Sequence, residues 1–516
     1  MPRFSSSSGW RWLAGLHLLA LLAALVWLVG EMQAVALPDA AGQRIRCVSY
    51  SPFHRPGLSP LDPSARITPA QIREDLQALT SMTGCVRTYA VDQGLEAVPE
   101  IAGALGMSVL LGAWIGRDEA ANERQLERLV ALARAHPETV RGVIVGNEVL
   151  LRGEQEAPAM ARYLARVRAQ VPVPVSYADV WEFWLRHPEL AREVDVVTVH
   201  VLPFWEDEPV SVEQAVAHVV AIRRQISATF DRPILVGETG WPSVGRQRDG
   251  AAPGRIAQAR FVRELLLQAN REGWDYNLIE AFDQPWKRRL EGTVGGYWGV
   301  LDGKGRPHFP LDGPVAERAG WGGLPWAALV GATILAGAAA LARRRREWQI
   351  AWGIAGLWAG LALGLAVEHA MVAWRDWREW LVLSAVAALG PAWLVATAGG
   401  LRLRWREGLR LAVLFCAATG ALWLAVDPRY RDFPWWLYAG VAPSMALIRP
   451  SGDSRSLAIV AAVLVLAGLA RVLPEPTNPQ ALAWFVLCLL LAAGGWPAGQ
   501  QEQREQGRDR GRFDVV

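Results

Sequence analysis

Two stretches decide the fold, Val143-Ile-Val-Gly-Asn-Glu148 and Ile234-Leu-Val-Gly-Glu238. Each is a short run of Val, Ile and Leu that passes through a glycine and reaches a glutamate. Such a run is typical of a buried parallel strand as it leaves the core of a barrel, and the catalytic residues of barrel enzymes lie at that strand end. The pattern therefore favours a barrel with a pair of carboxylates at its mouth.

Apolar runs of the same kind recur between residues 40 and 312. Eight are predicted as strands: 45–49, 85–89, 108–114, 140–145, 173–177, 194–200, 233–237 and 276–282. Helical patterns fall between them at 69–79, 95–105, 119–135, 159–170, 212–228 and 256–270. Eight strands alternating with helices predict an α/β fold, the (β/α)8 TIM barrel. An open doubly wound sheet is disfavoured because the sequence has no GxGxxG or GxxxxGK[ST] loop.

In this barrel Glu148 follows the fourth strand and Glu238 the seventh, so the two side chains face each other across the mouth. Cleaving a glycosidic bond with retention needs a nucleophilic carboxylate and a protonated carboxyl about 5 Å apart. Isolated buried glutamates are rare, which argues against a purely structural role for both. We therefore predict Glu148 and Glu238 as the catalytic pair of a retaining glycosidase.

Residues 44–310 resemble glycoside hydrolase family 17, whose members act on β-1,3-glucans. The most specific matches are Gly-Asn-Glu at 146–148 and Glu-Thr-Gly-Trp-Pro-Ser at 238–243. This resemblance implies that Glu148 is the acid/base and Glu238 the nucleophile. The membrane-attached bacterial proteins that the chain resembles are commonly associated with building β-1,3/β-1,6-glucan.

Weaker matches to the same family lie at 48–53 on the first strand, 86–89 on the second and 280–287 on the eighth. The last segment is similar to the family's sugar-contacting loop. The resemblance thus implies substrate contacts for three side chains, Glu280, Asp283 and Lys287. The chain differs from the usual pattern at Gln284, where the family has an acid.

Five neighbouring side chains are further candidates for substrate binding. Asn147 could hydrogen-bond the sugar 2-hydroxyl or form a turn. Trp205 and Trp286 could stack on a pyranose ring or pack in the core. Tyr89 could orient the nucleophile or fill the barrel, and His200 could bond within the site or be structural.

No metal or cofactor is predicted. The sequence has no HExxH, no calcium-loop pattern, no CxxC and no Cys/His cluster. Two of the four cysteines, Cys47 and Cys85, lie near the starts of the first two strands. They could form a disulfide in an exported domain or remain buried thiols.

The beginning of the chain predicts a membrane anchor. Hydrophobic residues make up 52% of the 516 residues, which is too apolar for a wholly soluble protein. The apolar run 13–29 follows Arg3 and Arg11, which fits a signal anchor with its N-terminus in the cytoplasm. An Ala-Val-Ala pattern at 34–36 could instead be a cleavage site. We assign 1–37 to this anchor and 38–315 to the barrel.

Seven further apolar runs are predicted as membrane spans within 316–500: 326–342, 350–372, 381–397, 409–426, 435–448, 457–473 and 481–496. Their loops alternate in charge. Arginines gather at 343–346, 402–406 and in the tail 501–516, and that side is predicted as cytoplasmic. The barrel would then face the periplasm, from a multi-pass protein of the bacterial inner membrane.

The expected partners are a β-glucan and the lipid bilayer, with a membrane glucan synthase as a further candidate. A net charge of +3 argues for no nucleic acid. Transfer to a second glucan would make the chain a glucanosyltransferase, and transfer to water an endo-β-1,3-glucanase. The spans favour transfer, since an enzyme that remodels nascent glucan benefits from being held where the glucan emerges. A silent sugar sensor and a transporter accessory stay open, although the spans show no obvious interrupted helix.

Overall fold

A computed structural model of the chain describes residues 9–428, 430–450 and 455–496. These residues form two compact units. One unit is Ala34–Glu317, and the other combines the described parts of Met1–Gln33 and Arg318–Val516. The second unit begins with helix α1 (Gly9–Met32). The predicted charged tail at 501–516 lies outside the described residues.

The first unit is a closed barrel of eight parallel strands, each paired with the next in chain order and β8 with β1. The strands are β1 (Cys47–Ser49), β2 (Cys85–Arg87), β3 (Ser108–Ala113), β4 (Val140–Asn147), β5 (Val175–Val180), β6 (Val196–His200), β7 (Ile234–Thr239) and β8 (Asp275–Leu278). All eight predicted strands are present, which confirms the (β/α)8 fold class.

Helices surround the barrel: α2 (Pro69–Leu79), α3 (Val98–Ala104), α4 (Glu119–Ala135), α5 (Ala157–Arg168), α6 (Trp181–Arg186), α7 (Val212–Thr229), α8 (Arg255–Glu272) and α9 (Arg288–Gly295). Side-chain capping explains where α2 and α4 begin, and for α4 the Asp118 carboxylate accepts from the Ala121 amide at 3.1 Å. The Thr68 hydroxyl accepts from the Gln71 amide at 3.2 Å and Pro69 opens α2. The short helices α6 and α9 were not predicted.

Successive side chains of each strand point alternately into the barrel and outward to the helices. Cys47 and Cys85 pack with Leu110, Ile144 and their neighbours in a small cluster that is separate from the larger core under the helices. The two cysteines lie on adjacent strands with Cα atoms 4.5 Å apart and form a disulfide. Of the two alternatives for this pair, the structure thus has the bridge.

After α1, the described part of the second unit continues with these helices: α10 (Leu324–Leu341), α11 (Arg346–Ala373), α12 (Trp377–Ala398), α13 (Leu403–Val426), α14 (Trp435–Ala439), α15 (Ala442–Leu447), α16 (Arg455–Val472) and α17 (Pro479–Gly495). Six helices in the described chain are long and apolar enough to cross a membrane: α1, α10, α11, α12, α13 and α16. Helix α17, with 17 residues, is shorter. The number of spans stays a prediction.

The stretch predicted as one span at 435–448 is two short helices, α14 and α15. The expectation that the spans contain no interrupted helix is therefore wrong. Gly440 and Val441 separate the two helices, and a Cβ atom on Gly440 would lie 3.1 Å from the Cα of Ala359. Glycine allows α14 to approach α11 closely at that point, and Pro443 then starts α15.

Helix α1 packs as a member of this helical unit. His17 is buried, and its Nδ1 lies 2.8 Å from the Leu13 carbonyl oxygen. Its Nε2 lies 3.1 Å from the Ser444 hydroxyl on α15. Trp27 packs against Trp436 with ring centroids 5.2 Å apart. Helix α1 thus contacts both α14 and α15, and its retention as an anchor stays a prediction.

Candidate functional site

The two predicted carboxylates lie at the same end of the barrel. Glu148 directly follows β4 and adopts a left-handed backbone with φ 52°, preceded by Gly146 at φ 86°. The turn is held because the Glu148 amide donates to the Ala178 carbonyl at 2.8 Å and its carbonyl accepts from Arg152. A non-glycine residue in this conformation carries strain that its surroundings must offset.

Glu238 lies within β7 and is 5% exposed. Gly237, directly before Glu238, lies close to side chains of the neighbouring strand β6, and this leaves no space for a larger residue. A Cβ atom on Gly237 would lie 2.3 Å from the Thr198 side chain and 3.2 Å from the imidazole of His200. Glycine at this position lets β6 and β7 approach, which brings His200 next to Glu238.

One carboxylate oxygen of Glu238, Oε1, accepts two hydrogen bonds. The Tyr89 hydroxyl donates to it at 2.8 Å and Arg87 Nη1 at 3.3 Å. Behind Tyr89, the Asn277 amide donates to Ser49 Oγ at 2.7 Å, and Ser49 Oγ lies 2.7 Å from the Tyr89 hydroxyl. Tyr89 therefore contacts the carboxylate directly, and a chain of hydrogen bonds fixes its orientation.

His200 joins the two glutamates. Its Nδ1 lies 2.8 Å from Glu148 Oε1, and its Nε2 lies 3.7 Å from Glu238 Oε1 and 3.4 Å from Arg87 Nη1. Since a guanidinium only donates, Nε2 is the acceptor and the ring proton is on Nδ1, facing Glu148. Burial would raise the pKa of Glu148, but the His200 hydrogen bond and the nearby cationic groups outweigh it and lower that pKa.

Arg87 was not predicted as a site residue, although it stands in the quoted 86–89 match. It is 1% exposed and donates to the Gly237 carbonyl at 2.7 Å and to Asn147 Oδ1. It thereby links β2, β4 and β7 beneath both carboxylates. Because Arg87 holds the oxygen of the Asn147 amide, the amide nitrogen is the part of that side chain left to donate.

The loop after β8 carries an ion pair beside the carboxylates. Glu280 is 1% exposed, and its two oxygens accept from Lys287 Nζ at 2.9 and 3.0 Å. Burial raises the pKa of Glu280 to about 7, against the opposing charge of Lys287. Glu291 on α9, also missed from the sequence, has its pKa raised by burial, with Lys287 opposing and both Glu148 and Glu238 adding to the shift. Its signal was only its position within one helical turn of Lys287.

Gln284 is fully buried and forms hydrogen bonds through both atoms of its side-chain amide. Its amide nitrogen donates to the Ser51 carbonyl at 2.7 Å, and its oxygen accepts from Trp286 Nε1 at 2.8 Å. A carboxylate could accept from Trp286 but could not donate to Ser51. The glutamine therefore positions the half-buried Trp286.

Asp283 and Trp205 are held mainly by protein groups. Asp283 Oδ2 lies 2.8 Å from His308 Nε2, and its Oδ1 accepts from the Gly299 amide at 3.1 Å. The Trp205 indole stacks on Trp298 with ring centroids 6.3 Å apart, and the Arg248 guanidinium lies over it at 5.3 Å. These contacts hold both side chains in place, and their contacts with substrate stay predictions.

Glu148, His200 and Glu238 each offer a donor atom, and these atoms lie within 4.8 Å of one another. Such a set could hold a metal ion by composition alone. However, the Arg87 guanidinium contacts both His200 and Glu238, so a cation already neutralises this cluster. The donor set fits a shared proton better than a metal, and the predicted lack of a metal stays a prediction.

Residues 47–299 match the family described as the BtgE/BtgC glycoside hydrolase domain. The chain is similar to a probable glucan endo-1,3-beta-glucosidase btgC of Aspergillus clavatus, with 28% identity over 265 residues that cover 45% of this chain and 37% of that protein. It is also 28% identical to a glucan 1,3-beta-glucosidase of Schizosaccharomyces pombe, covering 44% of this chain and 76% of that one.

Among solved structures, the chain is similar to a glycoside hydrolase family 17 beta-1,3-glucanosyltransferase from Rhizomucor miehei. The identity is 25% and the TM-score 0.46, over 52% of this chain and 97% of that one. The chain spans less than two fifths of the length of the btgC relative from Aspergillus clavatus. These relatives are fungal, so the bacterial branch expected from the sequence stays a prediction.

Proposed function

We propose that the chain is a membrane-anchored, retaining β-1,3-glucan transglycosidase. One observation carries this proposal: Glu148 and Glu238, at the ends of β4 and β7, present carboxylate oxygens within 4.8 Å of each other. Retaining glycosidases hold their two carboxyl groups about 5 to 5.5 Å apart, whereas inverting enzymes need more room for a water. The match to a glycoside hydrolase domain supports the same chemistry.

In the first step Glu238 attacks the anomeric carbon of the donor glucan. Tyr89 and Arg87 both donate to Oε1, which orients the carboxylate and leaves Oε2 to form the bond. Glu148 gives its proton to the leaving glycosidic oxygen, and the bond to that oxygen breaks. The Asn147 amide nitrogen is placed to bond the sugar 2-hydroxyl, a contact that strengthens in the transition state.

In the second step Glu148, now ionised, takes a proton from the acceptor hydroxyl. The acceptor oxygen attacks the anomeric carbon and displaces Glu238, so the two inversions give retention. The lowered pKa of Glu148 suits this second role, since a base must be ionised before the acceptor arrives. An acceptor glucan yields a longer or branched chain, and water yields a shorter one.

The barrel unit is proposed to face the periplasm of the bacterial inner membrane. Arginines at 343–346 lie after α10, and Arg402, Arg404 and Arg406 lie at the start of α13. If these loops are cytoplasmic, α1 ends and α10 begins on the opposite side. The disulfide between Cys47 and Cys85 agrees with an oxidising compartment.

The first test of this proposal follows the sizes and linkages of products. We expect full-length protein in detergent micelles, incubated with a β-1,3-gluco-oligosaccharide, to give products longer than the substrate, detected by mass spectrometry. NMR then shows whether new bonds are β-1,3 or β-1,6. Shorter products alone would instead establish an endo-β-1,3-glucanase, the activity named for the btgC relatives, and binding without products would establish a sensor.

Removing the His200 side chain should shift the pH profile. In His200→Ala the hydrogen bond that lowers the pKa of Glu148 is lost, while burial, which raises that pKa, remains. The acid form of Glu148 then persists to higher pH, so the alkaline limb of kcat/KM should move up by about one pH unit. A matched control is His218→Ala, which breaks a similar pair with Glu206 at 3.1 Å. An unmoved alkaline limb in His200→Ala would show that His200 does not set this pKa.

A further inference from the structure

Trp114 stands out in the barrel unit by its exposure. It directly follows β3 and is 41% exposed. Among residues 34–317, all of which the structure describes, no other tryptophan is as exposed. A large indole left in water at the carboxyl end of a barrel strand, where the two glutamates also lie, is suited to a ligand surface.

One face of this indole is backed by a fixed cation. The Arg152 guanidinium lies 4.2 Å from the ring centroid of Trp114. Arg152 is itself held by the Ile115 carbonyl at 2.9 Å and by Glu154 at 2.7 Å. It also donates to the Asn147 carbonyl, one residue before Glu148. The ring is thus tied to the backbone that carries Glu148.

The loop that follows Trp114 is also held by hydrogen bonds. The Asn122 side chain bonds both the amide and the carbonyl of Gly116 at 2.8 Å, and the Gln155 amide donates to the same carbonyl at 2.8 Å. A rigid platform binds with a smaller loss of conformational entropy than a mobile one.

The position of the platform decides which sugar it would bind. Glu148 protonates the leaving oxygen, so side chains attached to the Glu148 turn lie on the leaving-group side of the reacting bond. The Glu280 and Lys287 pair lies instead in the loop after β8, next to the nucleophile strand. By microscopic reversibility, the surface that holds the leaving sugar also holds the acceptor.

Resting on the proposed function, we propose that Trp114, backed by Arg152, is the stacking platform of an acceptor subsite that binds a glucosyl residue of a β-glucan. The C–H face of a pyranose packs on the open indole face, and its hydroxyl groups remain at the polar rim. Losing this surface weakens acceptor capture, while Arg152 keeps its hydrogen bonds to the Ile115 carbonyl and to Glu154. The ratio of transfer to hydrolysis is therefore expected to depend on Trp114.

The test uses full-length protein in detergent, laminaribiosyl β-fluoride as donor and laminaritriose as acceptor. Fluoride has no ring to occupy the acceptor side, and kcat/KM for its release covers only the steps up to the glycosyl-enzyme, so this constant reports formation of that intermediate. In Trp114→Ala we expect kcat/KM for fluoride release close to wild type. The laminaritriose concentration that gives half-maximal transfer should rise about tenfold or more. The glycosyl-enzyme that is no longer captured by laminaritriose should react with water, so the share of hydrolysis products should increase. For Trp114→Phe, the half-maximal laminaritriose concentration should lie between those of wild type and Trp114→Ala.

A matched control is Tyr163→Ala, which removes an aromatic ring from a similar pair with Arg166, 5.6 Å away, on α5. It should leave transfer unchanged. Unchanged acceptor dependence in Trp114→Ala, or slower fluoride release with unchanged partition, would overturn the acceptor assignment. If wild type releases fluoride but transfers only to water, the proposed transfer fails by itself. The subsite is then read from which bond of laminaripentaose is cut, and an unshifted cut in Trp114→Ala overturns it.

Discussion

Replacing Glu238 with alanine is expected to lower glucan turnover by a factor on the order of 10⁴ to 10⁶, the range found when an enzyme loses its nucleophile. The carboxylate that forms the covalent intermediate is then absent, and no other acid of the described site takes its position in β7. Arg87 and Tyr89 still surround the space that Glu238 occupied. That space should admit a small anion.

Azide separates a lost nucleophile from a damaged fold. In Glu238→Ala, azide can enter beside Arg87 and attack the anomeric carbon directly, which gives a glycosyl azide of inverted configuration. The measurement is the anomeric configuration of the product by NMR. A buried carboxylate outside the site supplies the control: Asp75 on α2 bonds the Tyr50 hydroxyl at 2.9 Å, and Asp75→Asn should lose stability but keep turnover. Near wild-type turnover in Glu238→Ala would remove the nucleophile assignment.

The barrel could be predicted because eight short apolar runs alternate with helical patterns along the sequence, and few other folds have that pattern. Glu148 and Glu238 could be predicted because each lies next to such a run in the sequence. Arg87 could not be assigned a role in the same way. Its contacts with Asn147 and Gly237 depend on the stagger of β2 against β4 and β7, and one strand read alone gives no register.

Other features depended on local signals that were weaker than those of the strands. Helix α9 contains Gly292 and a Thr-Val pair, which lower helical propensity, so Glu291 was left without a position near the site. The break between α14 and α15 had its signal in Gly440 and Pro443. It was missed because hydropathy measures composition over a window and does not detect where a backbone must approach its neighbour.

Replacing Glu148 with alanine should produce a loss that depends on the leaving group. A natural glucan leaves as an alcohol and needs a proton, so turnover should fall about 10² to 10⁴-fold, the usual contribution of general acid catalysis. Fluoride leaves with little protonation. Formation of the glycosyl-enzyme from laminaribiosyl β-fluoride should therefore be much less affected than cleavage of laminari-oligosaccharides.

The second half of the reaction gives Glu148→Ala a further signature that a structural defect would not imitate. Without a base, sugar acceptors attack the intermediate slowly, whereas azide needs no deprotonation and should restore turnover with the fluoride donor. Because Glu238 is still present, the product should be a glycosyl azide of retained configuration, opposite to that from Glu238→Ala. If glucan and fluoride donors lost activity equally, or if azide gave the inverted product, Glu148 would not be the acid/base, and the roles of the two carboxylates would have to be exchanged or abandoned.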